Sequence, residues 1–122
     1  MRGHRQFIRA VLNCSALLAA MGQVHAQSKD GFMRLKAADI RRSLVGKSLS
    51  DNVHWSFRYN ANGTVTGMSM DKQVESRWRL AGDELCETER AQPETCYEVW
   101  RRKNEVQLRP RGVGLPVEGT LH

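Results

Sequence analysis

The chain has 122 residues, 19 Lys plus Arg against 13 Asp plus Glu, and a formal net charge of +6. Its length supports one modest hydrophobic core and excludes a second domain. Its three cysteines form no Cys-x-x-Cys redox pair and no haem-attachment motif.

Arg2, Arg5 and Arg9 open the chain and lead into residues 10–22, which carry no charge and are rich in Ala, Leu, Val and Met. That stretch is shorter than the roughly 20 apolar residues needed to span a bilayer. It runs into Val24-His25-Ala26 before Gln27, and small residues at the first and third positions fit a signal-peptidase site. A cleavable secretory signal is therefore expected over residues 1–26, cut after Ala26, with a mature domain of residues 27–122 in the periplasm or outside the cell. The alternative, an amphipathic first helix of a cytosolic domain, lacks a polar face beyond Asn13, Ser15 and the ends. Cys14 does not fit lipid attachment, because Asn13 stands where a small residue is wanted and the apolar run continues past it. Cleavage would remove three arginines and no acids, leaving 16 basic against 13 acidic residues. The mature net charge of about +3 then gives much less attraction for polyanions than the precursor's charge implies.

After a polar leader, Met33, Ala37, Ile40 and Leu44 recur at helical spacing. Gly46 follows where a C-terminal cap belongs, and Arg41, Arg42 and Lys47 lie at the end favoured by the helix dipole. This pattern predicts a short helix over 34–45 that packs one stripe against a sheet. From Val53 the period changes to two, with Trp55, Phe57 and Tyr59 on one face. Asn62-Gly63 is a strong hairpin signal. Folding about it places Trp55 opposite Met70, Phe57 opposite Met68 and Tyr59 opposite Thr66, an aromatic and methionine core wall.

Strands over 74–80 and 84–89 are expected to join at Gly82-Asp83, with Trp78 and Leu80 facing the core and Leu85 opposite Leu80. A turn at Lys103-Asn104 pairs Arg102 with Glu105, Glu98 with Arg109 and Val99 with Leu108, so opposite charges meet on one face and aliphatics on the other. The tail reads as a loop followed by a short edge strand over 117–121. Cys86 and Cys96 are the thiols left after cleavage, and an even count in an oxidising compartment predicts one bridge spanning residues 90–95. Two thiolates without a nearby histidine do not complete a zinc set, so no metal and no cofactor is expected.

These elements predict a mainly β (α+β) fold. A short N-terminal helix precedes a six-stranded antiparallel meander whose apolar face is buried by the helix, by curling into a small barrel or half-barrel, or by a second copy. Their succession is Trp55-Ser56-Phe57-Arg58-Tyr59, Asn62-Gly63-Thr64-Val65, Arg77-Trp78-Arg79-Leu80, Gly82-Asp83-Glu84-Leu85-Cys86 and Cys96-Tyr97-Glu98-Val99. Over residues 35–109 this order resembles small secreted proteobacterial proteins of unknown function. The resemblance implies an exported location, a half-barrel-like sheet and the disulfide, and carries over no catalytic residue.

Among site candidates, His54 has neither the nucleophile nor the orienting acid that a general base requires, and reads as a rim residue. Glu84, Glu87, Glu89, Glu94 and Glu98 read as the solvated surroundings of the bridged loop. No enzymatic activity is expected. Arg77 and Arg79 share a strand face, Arg102 and Arg109 share another, and Arg101 falls on the presumed core side, near an open end or in a pocket. The arginines suggest a protein-interaction module for a protein or envelope component with an acidic surface. The alternative is a carrier of a small apolar or anionic ligand, with Trp55, Phe57, Tyr59, Trp78, Met68 and Met70 lining a cavity at the barrel mouth. Interrupting glutamates and export argue against nucleic acid. The mature domain carries no membrane-spanning segment, and a homodimer across an exposed sheet edge is a further expectation.

Overall fold

The computed structural model describes residues 30–122. The predicted signal segment with Cys14, the cut after Ala26 and residues 27–29 of the polar leader lie outside the described residues. The elements are β1 (Met33–Arg34), α1 (Ala37–Leu44), β2 (Ser48–Ser50), β3 (Trp55–Tyr59), β4 (Thr64–Ser69), β5 (Lys72–Ala81), β6 (Glu84–Glu89), β7 (Thr95–Arg102), β8 (Glu105–Pro110) and β9 (Val117–Leu121).

The predicted meander is present as β3 to β8, and two further strands turn it into a ring. The order β7-β6-β5-β4-β3-β2-β9-β8 returns to β7 through the β7–β8 pairing, and every pairing is antiparallel. The sheet is thus an eight-stranded barrel closed within one chain. β9 has the predicted bounds but is not an edge: it lies between β2 and β8. Closure gives each of β2 to β9 two neighbours, which removes the unpaired backbone groups an open edge would expose. β1 pairs with Trp100 and Arg101, beyond the part of β7 that β6 covers.

Both downstream hairpins have the predicted register. Arg102 faces Glu105, Glu98 faces Arg109, Val99 faces Leu108, and Leu80 faces Leu85. The first hairpin is shifted by one residue. Trp55 faces Ser69, Phe57 faces Gly67 and Tyr59 faces Val65. The cause is a longer loop over 60–63, in which the Asn60 amide donates to the Thr64 carbonyl while Asn62 Oδ1 accepts from the Thr64 amide and hydroxyl. Since side chains alternate with period two, a shift of one exchanges the faces. Met68 is consequently exposed, and Met70 is exposed in a two-residue turn with Asp71, both at positive φ. The predicted methionine wall is replaced by Val65, Gly67 and Ser69.

The helix is shorter than the predicted span, because Arg34 belongs to β1, and Met33, counted in its apolar stripe, pairs with Arg101 there and is exposed. Ile40 and Leu44 are buried among Leu49, Tyr59, Val65, Trp78, Leu85, Val99, Val106, Leu108 and Leu121. α1 lies over the barrel end that carries the 60–63, Gly82-Asp83 and Lys103-Asn104 connections. There the Ala37 amide donates to Asp83 Oδ1 at 2.9 Å, Val45 bridges to Tyr59, and the Arg41 guanidinium lies 5.5 Å from the Trp78 ring centroid. Asp83 thereby satisfies an amide of the first helical turn that its own segment leaves without a side-chain cap. Loops 51–54, 70–71, 90–94 and 111–116 ring the opposite end, which no helix covers. Among the described residues, no helix is long and apolar enough to cross a membrane.

Candidate functional site

Alternation along β3 to β6 turns Phe57, Val65, Ser69, Val74, Ser76 and Glu87 into the barrel, where all six line one cavity. Lower in the ring the interior is filled by Trp78, Leu85, Val99 and Leu108. At the mouth the serines are small, and a cavity of about 440 Å³ opens. Phe57, Val65 and Val74 supply its apolar wall, while Glu75, Glu87, Glu89 and Arg90 supply its charges. Eight strands give an interior that side chains can fill or that can hold one small ligand. Here the helix-covered half is filled and the other half is open.

Glu87 is the polar centre of this space. It sits opposite Trp78 on β5 and accepts a hydrogen bond from the Tyr59 hydroxyl at 2.5 Å. Burial pushes its carboxyl above the ordinary value, an effect that the Tyr59 hydrogen bond opposes and the neighbouring Glu89 charge reinforces. Tyr59 itself is buried, and burial together with the Glu87 charge raises its phenol well above the usual range. Tyr97 responds the same way, more weakly, with burial again leading.

The sequence-predicted residues divide between different parts of the barrel. Tyr59 and Trp78 meet edge to face with ring centroids 6.4 Å apart, and Trp78 Nε1 donates to the Asn60 carbonyl at 2.8 Å. Both belong to the core, with Tyr59 reaching the cavity floor through Glu87. Trp55 is half-buried and stacks on Phe57 at 5.2 Å, behind the cavity wall. Arg77 and Arg79 are exposed on the outer face of β5. Arg79 binds Glu94 through two nitrogens, at 2.7 and 2.5 Å. Arg101 is at the helix-covered end, where Nη1 donates to Ser43 Oγ at 2.9 Å and Nε to the Lys103 carbonyl. The three arginines therefore do not converge with the aromatic residues on one site.

Four further arginines also have partners on their own surface. Arg102 pairs with Glu105 and lies over the Phe32 ring, Arg111 pairs with Glu84, Arg34 pairs with Glu98, and Arg109 stacks on Trp100 at 4.1 Å. His54 is exposed and bonds Asp51 through Nδ1 at 3.0 Å. Asp51 Oδ1 in turn accepts the amides of Val53, His54 and Trp55. This acid organises its loop and offers no nucleophile to His54.

Cys86 and Cys96 face each other across β6 and β7 and are joined at 2.03 Å. Glu94 lies close to Cys96, but the two sulfurs are bonded to each other and present no thiolates for a metal.

Phe57 lines the cavity as the sequence suggested, and Glu87 is the functional candidate that sequence reasoning missed. Glu87 was expected on a solvated face with its neighbouring acids, yet alternation with Leu85 on β6 places it inside. That alternation was the available signal. The fold and the cavity define a plugged eight-stranded antiparallel barrel with an acidic, partly apolar mouth. No protein-family model, curated protein or solved structure matches the chain.

Proposed function

We propose that this protein is a non-catalytic binding module that takes one small molecule in the open mouth of its barrel. The observation that carries this reading is the cavity of about 440 Å³ between Phe57, Val65, Val74 and the half-buried Glu87. Its volume falls within the range of small-ligand sites, and its combination of an apolar wall with few polar groups is typical of them. The Cys86–Cys96 bridge, the signal-like N-terminus and the resemblance to small secreted proteobacterial proteins support action in the periplasm or outside the cell.

The reading as a docking module for an acidic envelope partner has less support, because Arg79, Arg102 and Arg111 are already ion-paired within the chain. Pairing of two copies edge to edge would require a free edge, yet β2 to β9 each have two neighbours and β1, which has one, is only two residues long. Contact with a partner protein is better supported at the mouth end. There Val53, Met70, Val113 and Leu115 are exposed on three loops that adjoin around the rim.

Native mass spectrometry of protein purified with its disulfide intact tests the binding reading. A retained small molecule, released by denaturation, is the expected result. A bare protein, together with no shift of Phe57 and Val74 NMR signals across a panel of small amphipathic compounds, overturns it.

A further inference from the structure

The mouth of the barrel gathers glutamates that lack the arginine partner most strand glutamates elsewhere have, Glu118 being bonded to Gln107 instead. Outside it, Glu84, Glu94, Glu98 and Glu105 are each matched to an arginine. Among the described residues, neither Glu75, Glu87 nor Glu89 takes part in an ion pair, and all three line one cavity. Arg90 is the single cationic side chain of that lining, and it lies at the rim in the 90–94 connection.

Glu87 has one oxygen engaged by Tyr59. Its carboxylate borders the cavity with no cation of the chain against it. Glu87 is half-buried, so its carboxylate is only partly hydrated and has no positive partner, and an ammonium group entering the cavity would supply both the charge and the hydrogen-bond donors. The wall of Phe57, Val65 and Val74 would cover a short hydrocarbon body attached to that group, and the face of Phe57 favours a cation.

We infer that the mouth selects a small organic cation, a primary amine with a short apolar body, whose ammonium group pairs with Glu87. This selectivity rests on the small-molecule reading above and replaces the anionic ligand expected from the arginines. A carboxylate ligand would instead meet the like charges of Glu87 and Glu89, which share the inner face of β6.

The test uses three probes of matched length, hexylamine, hexan-1-ol and hexanoate, titrated at neutral pH into the oxidised mature protein and followed by calorimetry and by the NMR signals of Phe57 and Val74. The amine is expected to bind about tenfold or more tightly than the alcohol, and hexanoate most weakly. Glu87→Gln keeps an acceptor for Tyr59 and is expected to abolish most of the amine's advantage while the alcohol still binds. Glu89→Gln, which leaves the Tyr59 contact untouched, is expected to reduce the advantage less and tests the same idea should Glu87→Gln fold poorly. An alcohol that binds as tightly as the amine, or a tighter hexanoate, overturns the selectivity and leaves the carrier reading standing. If none of the three probes shifts the cavity signals, the carrier reading falls and the selectivity with it.

Discussion

The Tyr59 hydroxyl donates to the Glu87 carboxylate inside the barrel at 2.5 Å, although the two residues are 28 positions apart in the chain. The contact joins β3 to β6 across the intervening β4 and β5, so it exists only because the sheet is curved into a ring. It links the packed half of the interior to the open half.

This contact sets a pH dependence with a definite sign. Because burial raises the Glu87 carboxyl above 4.5, the folded state holds its proton more tightly than the unfolded chain. Its contribution to stability is fully present below 4.5 and is lost as pH rises through the folded value. Glu87→Gln is expected to flatten that part of the stability curve in urea unfolding. Tyr59→Phe should instead push the Glu87 carboxyl higher and cost about 1–3 kcal/mol, since the hydroxyl's hydrogen bond opposes the shift and is made to a half-buried charged acceptor. A carboxyl NMR titration of Glu87 that does not move in Tyr59→Phe would contradict this account.

The disulfide closes a short segment, its cysteines lying ten positions apart in the chain. Chain entropy assigns such a loop about 2.5–3 kcal/mol. Reduction, or Cys86→Ser with Cys96→Ser, is expected to lower unfolding stability by about that amount while the barrel's circular dichroism persists in the absence of denaturant. Equal denaturation midpoints with and without reductant would show that the bridge constrains little.

The register of the first hairpin is open to a direct comparison. A Cβ on Gly67 would stand 1.9 Å from the Ser56 carbonyl oxygen, a backbone atom that cannot swing away. Gly67→Ala is therefore expected to cost about 1–3 kcal/mol or more, as overpacking does. Met68 projects outward and is exposed, so Met68→Ser should be nearly neutral. In the register read from Asn62-Gly63 alone, Met68 faces Phe57 in the core and its replacement would be the costly one. Thermal unfolding of the two variants distinguishes these arrangements.

Asp51 lies in the rim loop and responds to pH in the opposite sense to Glu87. Partial desolvation raises its carboxyl, but the amides of Trp55, Val53 and His54 and the His54 ring outweigh that effect and hold it well below its ordinary value of 3.8. Its support is thus present above 3.8 and is lost as pH falls through the folded value. Asp51→Ala is expected to loosen residues 51–54, seen as faster amide exchange at Val53 and His54, and to remove this acid sensitivity. Unchanged exchange at those amides would mean that the loop holds itself.

The parts legible from residue order were those governed by neighbours in sequence. Val99 and Leu108, or Leu80 and Leu85, flank short turns, so alternation and charge pairing specify their register with few alternatives. The facing cysteines and the helical stripe of Ile40 and Leu44 are legible for the same reason. The slip at Asn60 to Gly63 was not, because two loop lengths suit the same Asn-Gly pair and side-chain hydrogen bonds within the loop choose between them. Closure of the ring depends on Leu49 meeting Leu121, more than seventy residues away, and no local pattern encodes a contact at that distance. The same limit governs the candidate site. Alternation can place Arg79 outside and Glu87 inside, but the pairing of Arg79 with Glu94, and of Glu87 with Tyr59 at the floor of a cavity, depends on the curvature that brings separate strands together.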